Sequence, residues 1–344
     1  MSAFGLTPFS GAVAVEYLKS QLTKEGGAER CARVMGFLLN RLNNKHHLTH
    51  HSLVHPGQAG CPNIVPGLRA NPLWGQGGAG SVLRENFPWV ALLEDNVGAI
   101  RDEFLALRGT SAFQPYRSPT SSSSSSTSSS SDHLGQLATD RGAWNVAYLH
   151  LHGLDFADNL ALCPRTAALL AQVPRHYSHA FFSALAPSSH ITPHFGPTNK
   201  KLRCHLPLLV PSTDGGASVS LVPGSAWLRV GDTTVGLEAG RCVLFDDSFE
   251  HEAANDSVAE PRVVLVLDVW HPDLSDEEVR FLNFLNKGQM SAATRLAKGR
   301  SEHGEQGERE KGDFLSVIRE ARRGAAELAA GLEGSIWPHP VVDD

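Results

Sequence analysis

Two histidines, His194 and His251, stand fifty-seven positions apart (251 − 194), each beside sequence that is typical of a β-strand. Iron(II) binds neutral imidazoles, and its usual site in non-haem oxygenases combines two histidines with one carboxylate and leaves positions open for co-substrate and oxygen. The carboxylate normally lies two residues after the first histidine, where this chain has Gly196. Taken singly, each histidine is more often a structural residue. The pair predicts an iron centre that lacks one protein ligand.

Two arginines, Arg203 and Arg262, lie in otherwise apolar strand sequence. Lone charges are uncommon in such strands unless they are paired. The planar guanidinium binds a carboxylate through two hydrogen bonds, so an arginine suits the distal carboxylate of a 2-oxoglutarate co-substrate. His205 follows Arg203 by two residues and therefore lies on the same strand face. The alternative, stronger for Arg203 than for Arg262, is an outward-facing strand residue.

The elements that position these residues are predicted to be short strands. From Trp144 onward, apolar and aromatic runs alternate with turn residues, which indicates an antiparallel sandwich or barrel. Residues 86–108 predict one helix entered through Pro88, residues 164–173 predict another packed on the sheet, and Ser275 begins a third. The strand-like runs are 144–151, 179–186, 202–210, 217–222, 225–230, 241–245 and 262–270.

Several other segments of the chain lack this strand-like pattern. Residues 12–42 and 314–332 have helical apolar periodicity, and residues 118–131 form a Ser/Thr-rich tract expected to be a disordered insertion. Residues 43–65 are loop-like and rich in histidine. A histidine-rich tract can bind metal adventitiously, but we expect a polar surface loop.

Bulk composition excludes several classes of protein. A net charge of −6 and a pI near 6.3 give no electrostatic footprint for nucleic acid. No apolar run is long enough for a transmembrane segment, and the N-terminus lacks the basic start of a secretory signal. Five scattered cysteines without a CxxC motif indicate reduced thiols. We therefore expect a soluble protein, with the cytoplasm weakly favoured.

Four segments in order resemble the aspartyl/asparaginyl β-hydroxylase family: residues 192–199, 202–205, 245–252 and 268–272. The resemblance runs from about residue 66 to about residue 282 and is strongest between 181 and 272. It implies a mainly β double-stranded β-helix, a jelly roll of the cupin type, with flanking α-helices at both ends. The predicted organisation is an extension over 1–65, an oxygenase domain over 66–282 and a helical tail over 283–344.

The resemblance also assigns roles to residues. It implies dependence on iron(II), 2-oxoglutarate and O2, with the metal held by only two histidines and a glycine in place of the carboxylate. Metal ligands would be His194 and His251, and Asp247 would orient a water at the metal as an outer-sphere residue. The residues implied for 2-oxoglutarate are Ser183, Arg203, His205 and Arg262. The chain departs from the family in its serine tract, its lone Cys163 and the absence of an N-terminal anchor or helical-repeat region.

The predicted activity is hydroxylation of the β-carbon of Asp or Asn in a polypeptide, coupled to decarboxylation of 2-oxoglutarate. One alternative is the same chemistry on a lipid acyl chain or a free amino acid. Another is halogenation, because a missing carboxylate leaves room for chloride at the metal. A third is a non-catalytic jelly-roll binding module, against which both histidines and both arginines argue.

Overall fold

The computed structural model describes residues 31–34, 37, 54–75, 81–107, 112–116, 139–151, 153–211 and 225–283. The chain divides into two compact units. The larger comprises Thr49–Ser118 and Gln136–Leu274, and the other comprises Met1–Leu48, Pro119–Gly135 and Ser275–Asp344. The larger unit therefore takes in residues before the predicted boundary at residue 66.

The described strands of the larger unit form two antiparallel sheets. One sheet has the order β1-β11-β8-β13-β6-β4-β2, with β5 beside β4, and the other has the order β10-β9-β12-β7-β3. Their strands are β1 Leu73–Trp74, β2 Gln114–Pro115, β3 Thr139–Arg141, β4 Trp144–Leu151, β5 Leu154–Asp155, β6 His176–Leu185, β7 Ser189–His194, β8 Lys201–Leu209, β9 Ala226–Val230, β10 Thr233–Gly236, β11 Val243–Phe245, β12 His251–Asn255 and β13 Arg262–Trp270.

The predicted mainly β fold, a jelly roll, is confirmed. Six of the seven strand-like runs correspond to observed strands, because β-branched and aromatic residues fit a pleated, half-buried surface. The seventh, 217–222, lies outside the described residues, as do the Ser/Thr-rich tract, the helix predicted over 314–332 and most of the segments 12–42 and 43–53.

Helices cover one face of the larger sheet. They are α1 Ser81–Asn86, α2 Trp89–Asp95, α3 Val97–Leu107, α4 Ala157–Leu162 and α5 Pro164–Leu170. The prediction of one helix over 86–108 was wrong. Asn96 leaves the helical region with φ −108° and ψ 13°, and its side-chain amide donates to the carbonyl of Leu92, which ends α2.

Strand β13 separates the apolar core from the interior of the jelly roll. Val263, Leu265, Leu267 and Val269 belong to the core cluster that the helices share, so the alternate residues face the opposite side. That opposite side carries Arg262 and, six residues on, Asp268. Strand β13 therefore has one apolar face and one face with charged groups.

In the smaller unit, the predicted helix start at Ser275 is confirmed. Ser275 N donates to Glu278 Oε2 at 2.9 Å, and Glu278 N donates to Ser275 Oγ at 3.1 Å, a reciprocal capping box. Glu278 also accepts from both Nε and Nη2 of Arg33, at 3.0 and 2.5 Å.

All five cysteines are buried and free of disulfides. In the part of the chain that the structure describes, no helix combines the length and apolar character that a membrane crossing requires.

Candidate metal and co-substrate site

The two predicted metal ligands are neighbours on adjacent strands. His194 of β7 is the register partner of His251 of β12, and their ring centroids are 4.1 Å apart. Nδ1 of His194 lies 2.8 Å from the Thr192 carbonyl, and Nδ1 of His251 lies 2.9 Å from the Phe249 carbonyl. Because a carbonyl only accepts, each Nδ1 carries the proton and each Nε2 keeps a lone pair for a metal.

Burial favours the neutral form of both rings. It lowers the pKa of His194, and it lowers the pKa of His251 well below the ordinary value, with the nearby His194 adding to the effect. Two neutral imidazoles with free Nε2 atoms fit the donor set that iron(II) prefers. Among the described residues, no group of three or more His, Cys, Asp and Glu side chains forms a metal site.

The space beside Gly196, where the usual iron site would have its carboxylate, is filled by Asp247. A Cβ on Gly196 would lie 2.5 Å from Asp247 Cγ and 2.7 Å from Asp247 Oδ2, and Gly196 N donates to the Asp247 carbonyl at 2.6 Å. A side chain at position 196 would therefore displace Asp247. Asp247 is fully buried, and its Oδ1 has no hydrogen-bond partner among the described residues, so this oxygen can still accept a hydrogen bond.

A compensated charge network surrounds Asp247. Lys201 Nζ lies 2.6 Å from Asp247 Oδ2 and 3.0 Å from Asp268 Oδ2. Arg203 holds Asp268 through Nε at 2.8 Å and Nη2 at 3.0 Å, with its Nη1 3.3 Å from Asp247. Burial alone would raise the pKa of Asp268, but Arg203, Lys201 and His179 hold that pKa well below its usual range. Two cations therefore face two carboxylates.

Arg262 differs from Arg203 because no carboxylate meets it in the described structure. Its side chain is 1% exposed, and its Nε and Nη2 have no hydrogen-bond partner. Burial lowers its pKa to about 10, with no opposing charge. A buried charge without a partner is costly, so this guanidinium is a ready site for an incoming carboxylate.

His205 and Ser183 share the strand face of Arg262. His205 is the register partner of Val266 and Ser183 that of Val264, both at even spacing from Arg262. In the part of the chain that the structure describes, the His205 Nδ1 has no hydrogen-bond partner. Burial, followed by the charge of Arg262, lowers the pKa of the His205 ring well below the ordinary value. His205 is therefore neutral.

The Ser183 hydroxyl is oriented by an indole. Trp144 Nε1 donates to Ser183 Oγ at 3.0 Å, and an indole N–H is a donor only. Ser183 therefore accepts this bond and keeps its own O–H for another acceptor. Tyr116 stacks on Trp144 with ring centroids 3.8 Å apart and an interplanar angle of 22°.

Phe245 connects the two parts of the site. Its ring lies 5.0 Å from that of His205 and 5.6 Å from that of His251. Of the seven residues predicted from the sequence, the structure places two in the histidine pair, one beside Gly196 and four on one face of the larger sheet. Sequence reasoning had not assigned roles to Lys201, Trp144, Tyr116 and His179. The alternation of Lys201 with Arg203 in one strand was a signal for the first of these.

Comparisons with known proteins match the chain to one family. The aspartyl/asparaginyl beta-hydroxylase family profile matches residues 94–272. Aspartate beta-hydroxylase domain-containing protein 2 of Xenopus tropicalis is 34% identical over 201 residues, 56% of this chain and 47% of that protein. Human aspartyl/asparaginyl beta-hydroxylase is 30% identical over 224 residues, 63% of this chain and 25% of that protein.

A third relative is named for a different substrate. Ornithine lipid ester-linked acyl 2-hydroxylase of Rhizobium tropici is 30% identical over 200 residues, 58% of this chain and 62% of that protein. In all three cases the match spans less than two thirds of the relative's length. The family profile covers more than half of the present sequence, and the chain belongs to the aspartyl/asparaginyl β-hydroxylase family.

Proposed function

We propose that this protein is an iron(II)- and 2-oxoglutarate-dependent dioxygenase that hydroxylates an unactivated C–H bond. The observation that carries the proposal is the buried Arg262, which has no carboxylate partner among the described residues. It lies on the sheet face that leads through His205 and Phe245 to two neutral histidines. A dicarboxylate that reaches from the guanidinium to the histidine pair would pair the Arg262 charge at one end and approach the metal held by the histidines at the other.

In this proposal His194 and His251 hold iron(II), which when bound supplies the oxygen chemistry that protein side chains cannot. Arg262 and the Ser183 hydroxyl bind the distal carboxylate, and the neutral His205 contributes a further contact. Arg203 already pairs with Asp268 and Asp247. Its contact with 2-oxoglutarate is therefore weaker than that of Arg262. Asp247 Oδ1 offers an acceptor to a water beside the histidines.

For the substrate we propose the β-carbon of Asp or Asn in a polypeptide. Support comes from the family, whose human relative is named for aspartyl and asparaginyl residues. The second candidate is a lipid acyl chain, favoured by the relative named as an acyl 2-hydroxylase. Halogenation has less support because the volume beside Gly196 holds the Asp247 carboxylate.

The test supplies purified protein with iron(II), 2-oxoglutarate and O2 and measures succinate together with product mass. Asp- or Asn-containing peptides should gain about sixteen mass units, and alanine-substituted peptides should not. Oxygen on an ornithine-lipid acyl chain and never on peptides would select the second candidate. If no substrate leads to succinate and the protein binds no stoichiometric iron, the result would instead support a non-catalytic binding module.

A further inference from the structure

Residues 54–65, which we call the strap, contact both loops that border the two histidines. The first histidine loop is 195–199, directly after His194, and the second is 246–250, directly before His251. The strap contains a short 3-10 helix, Pro56–Gln58. From the sequence, this segment is predicted to belong to an extension outside the oxygenase domain.

Gln58 fastens the strap to the second histidine loop. Its side-chain amide is 2% exposed and donates to Asp246 Oδ2 at 3.0 Å and to Ser248 Oγ at 2.7 Å. Gly57 lies on the Phe249 ring, where an added Cβ would come within 2.8 Å. The strap therefore holds the loop by two buried hydrogen bonds and one close apolar contact.

A second group of contacts fastens the strap to the first histidine loop. Asn63 Nδ2 donates to the Pro197 carbonyl at 2.8 Å. Asn199 makes a pair of bonds with Val65, accepting from its N–H at 2.8 Å and donating to its carbonyl at 3.0 Å. A Cβ on Gly60 would lie 2.3 Å from the Phe195 ring, so only glycine fits there without movement.

The strap thus ties together two loops that meet each other at the 2.6 Å hydrogen bond from Gly196 to Asp247. In a site with three protein ligands, the metal itself helps to fix the loops that carry them. With only two histidines, the angle between the rings depends more on the backbone that carries them. Partners outside the ligand sphere orient metal ligands and change affinity by about ten- to a hundred-fold when removed.

We propose that the strap is a positioning element that preorganises the two-histidine metal site, with Gln58 and Gly60 as its positioning residues. The inference rests on the proposed function only in requiring that His194 and His251 bind a divalent metal. It predicts that strap variants weaken metal binding in protein that remains folded.

The experiment measures cobalt(II) affinity and the cobalt absorption spectrum, well below every melting temperature. Gln58→Met keeps side-chain length but removes both donated bonds, and Gly60→Ala forces Phe195 to move. Each variant should bind cobalt(II) about tenfold more weakly than the wild type, with an altered spectrum.

Two variants on the helical side serve as matched controls. Gly98→Ala adds a Cβ with nothing within 4 Å, and Thr166→Val removes a buried hydroxyl that donates to Glu103 at 2.6 Å. Both controls should keep wild-type affinity and spectrum, even where Thr166→Val lowers the melting temperature. Unchanged affinity and spectrum in both strap variants, or an equal loss in Thr166→Val, would overturn the inference. A wild-type protein that binds no metal would instead refute the proposed metal centre itself.

Discussion

At the scale of single residues, the buried polar groups of the site differ in whether they have a hydrogen-bond or charge partner. The charges of Lys201 and Arg203 are met by Asp247 and Asp268. Among the described residues, Nε and Nη2 of Arg262 and Nδ1 of His205 have no hydrogen-bond partner. Buried polar groups in native proteins are nearly always paired, so these unpaired atoms support the co-substrate site proposed above.

Replacing His194 or His251 with Ala should abolish iron binding and turnover, because one imidazole alone leaves too few protein ligands. Iron content and circular dichroism check this, with His150→Ala as the control, since that ring pairs with Asp155. Either variant keeping most of its iron-dependent activity would show that the ligands were assigned wrongly.

Replacing Arg262 with Ala should weaken the affinity for 2-oxoglutarate by about ten- to a hundred-fold, since a charge-assisted hydrogen bond contributes roughly 1.5–3 kcal/mol. Arg203→Ala should have the smaller effect on this affinity. Titration of 2-oxoglutarate in the succinate assay measures both, with the exposed Arg141→Ala, which pairs with Asp256, as the control. Unchanged co-substrate dependence in both arginine variants would exclude them from the site.

Asp246 predicts a pH dependence of stability. Burial raises the pKa of its carboxyl from 3.8 to about 7. The unfolded chain then loses this proton at lower pH than the folded chain does. The protonated Asp246 carboxyl therefore contributes fully to the free energy of unfolding below about pH 4. This contribution falls by up to about 1.4 kcal/mol per pH unit as the pH rises to about 7.

Replacing Asp246 with Asn should remove this slope. The difference in unfolding free energy, variant minus wild type, should therefore rise between pH 4 and pH 7, as measured by urea denaturation. Asp232→Asn, at an exposed position between β9 and β10, is the control for replacing a carboxylate with an amide. A flat difference for Asp246→Asn would mean that its carboxyl is ionised in the folded protein.

At the scale of elements, register between strands decides which side chains meet. His194 and His251 are distant in sequence but are paired residues of β7 and β12, and Arg203 and Asp268 are paired residues of β8 and β13. Strand β2 ends next to Tyr116, whose ring stacks on Trp144 of β4. Helical packing on the other face holds the larger sheet in place without entering the site.

The stacked pair should control how Ser183 binds the co-substrate. Trp144→Phe keeps an aromatic ring but loses the N–H that fixes Ser183 as an acceptor, so 2-oxoglutarate affinity should fall about three- to tenfold. Tyr116→Phe keeps the stack and should retain wild-type affinity, whereas Tyr116→Ala should lose part of it. Binding is followed by thermal shift with 2-oxoglutarate, independently of turnover. Equal affinity in Trp144→Phe and wild type would separate the indole from the co-substrate site.

At the scale of the whole molecule, the larger unit contains the site, and the strap adds residues that lie before the predicted domain. The Ser/Thr-rich tract lies outside the described residues. Its role stays a prediction from composition.

Excising residues 118–131 should leave the melting temperature and succinate release nearly unchanged. The tract is too polar to bury apolar surface, and the entropy of closing a loop depends only logarithmically on its length. Differential scanning calorimetry and the succinate assay check both quantities. A collapse of either would mean that the tract packs against the folded protein.

The sequence by itself determined the strand texture, the two histidines, the buried character of Arg262 and the glycine at the third ligand position. These features are local, since β propensity and alternation depend on near neighbours and Gly196 stands at a fixed offset from His194. Only the tertiary structure decided that the Asp247 carboxylate fills the space beside Gly196 and that Arg203 is already paired whereas Arg262 is not. Those outcomes depend on distances between strands far apart in the chain, which no spacing in a single sequence encodes. The same holds for the strap, whose Gln58 meets Asp246 across 188 residues.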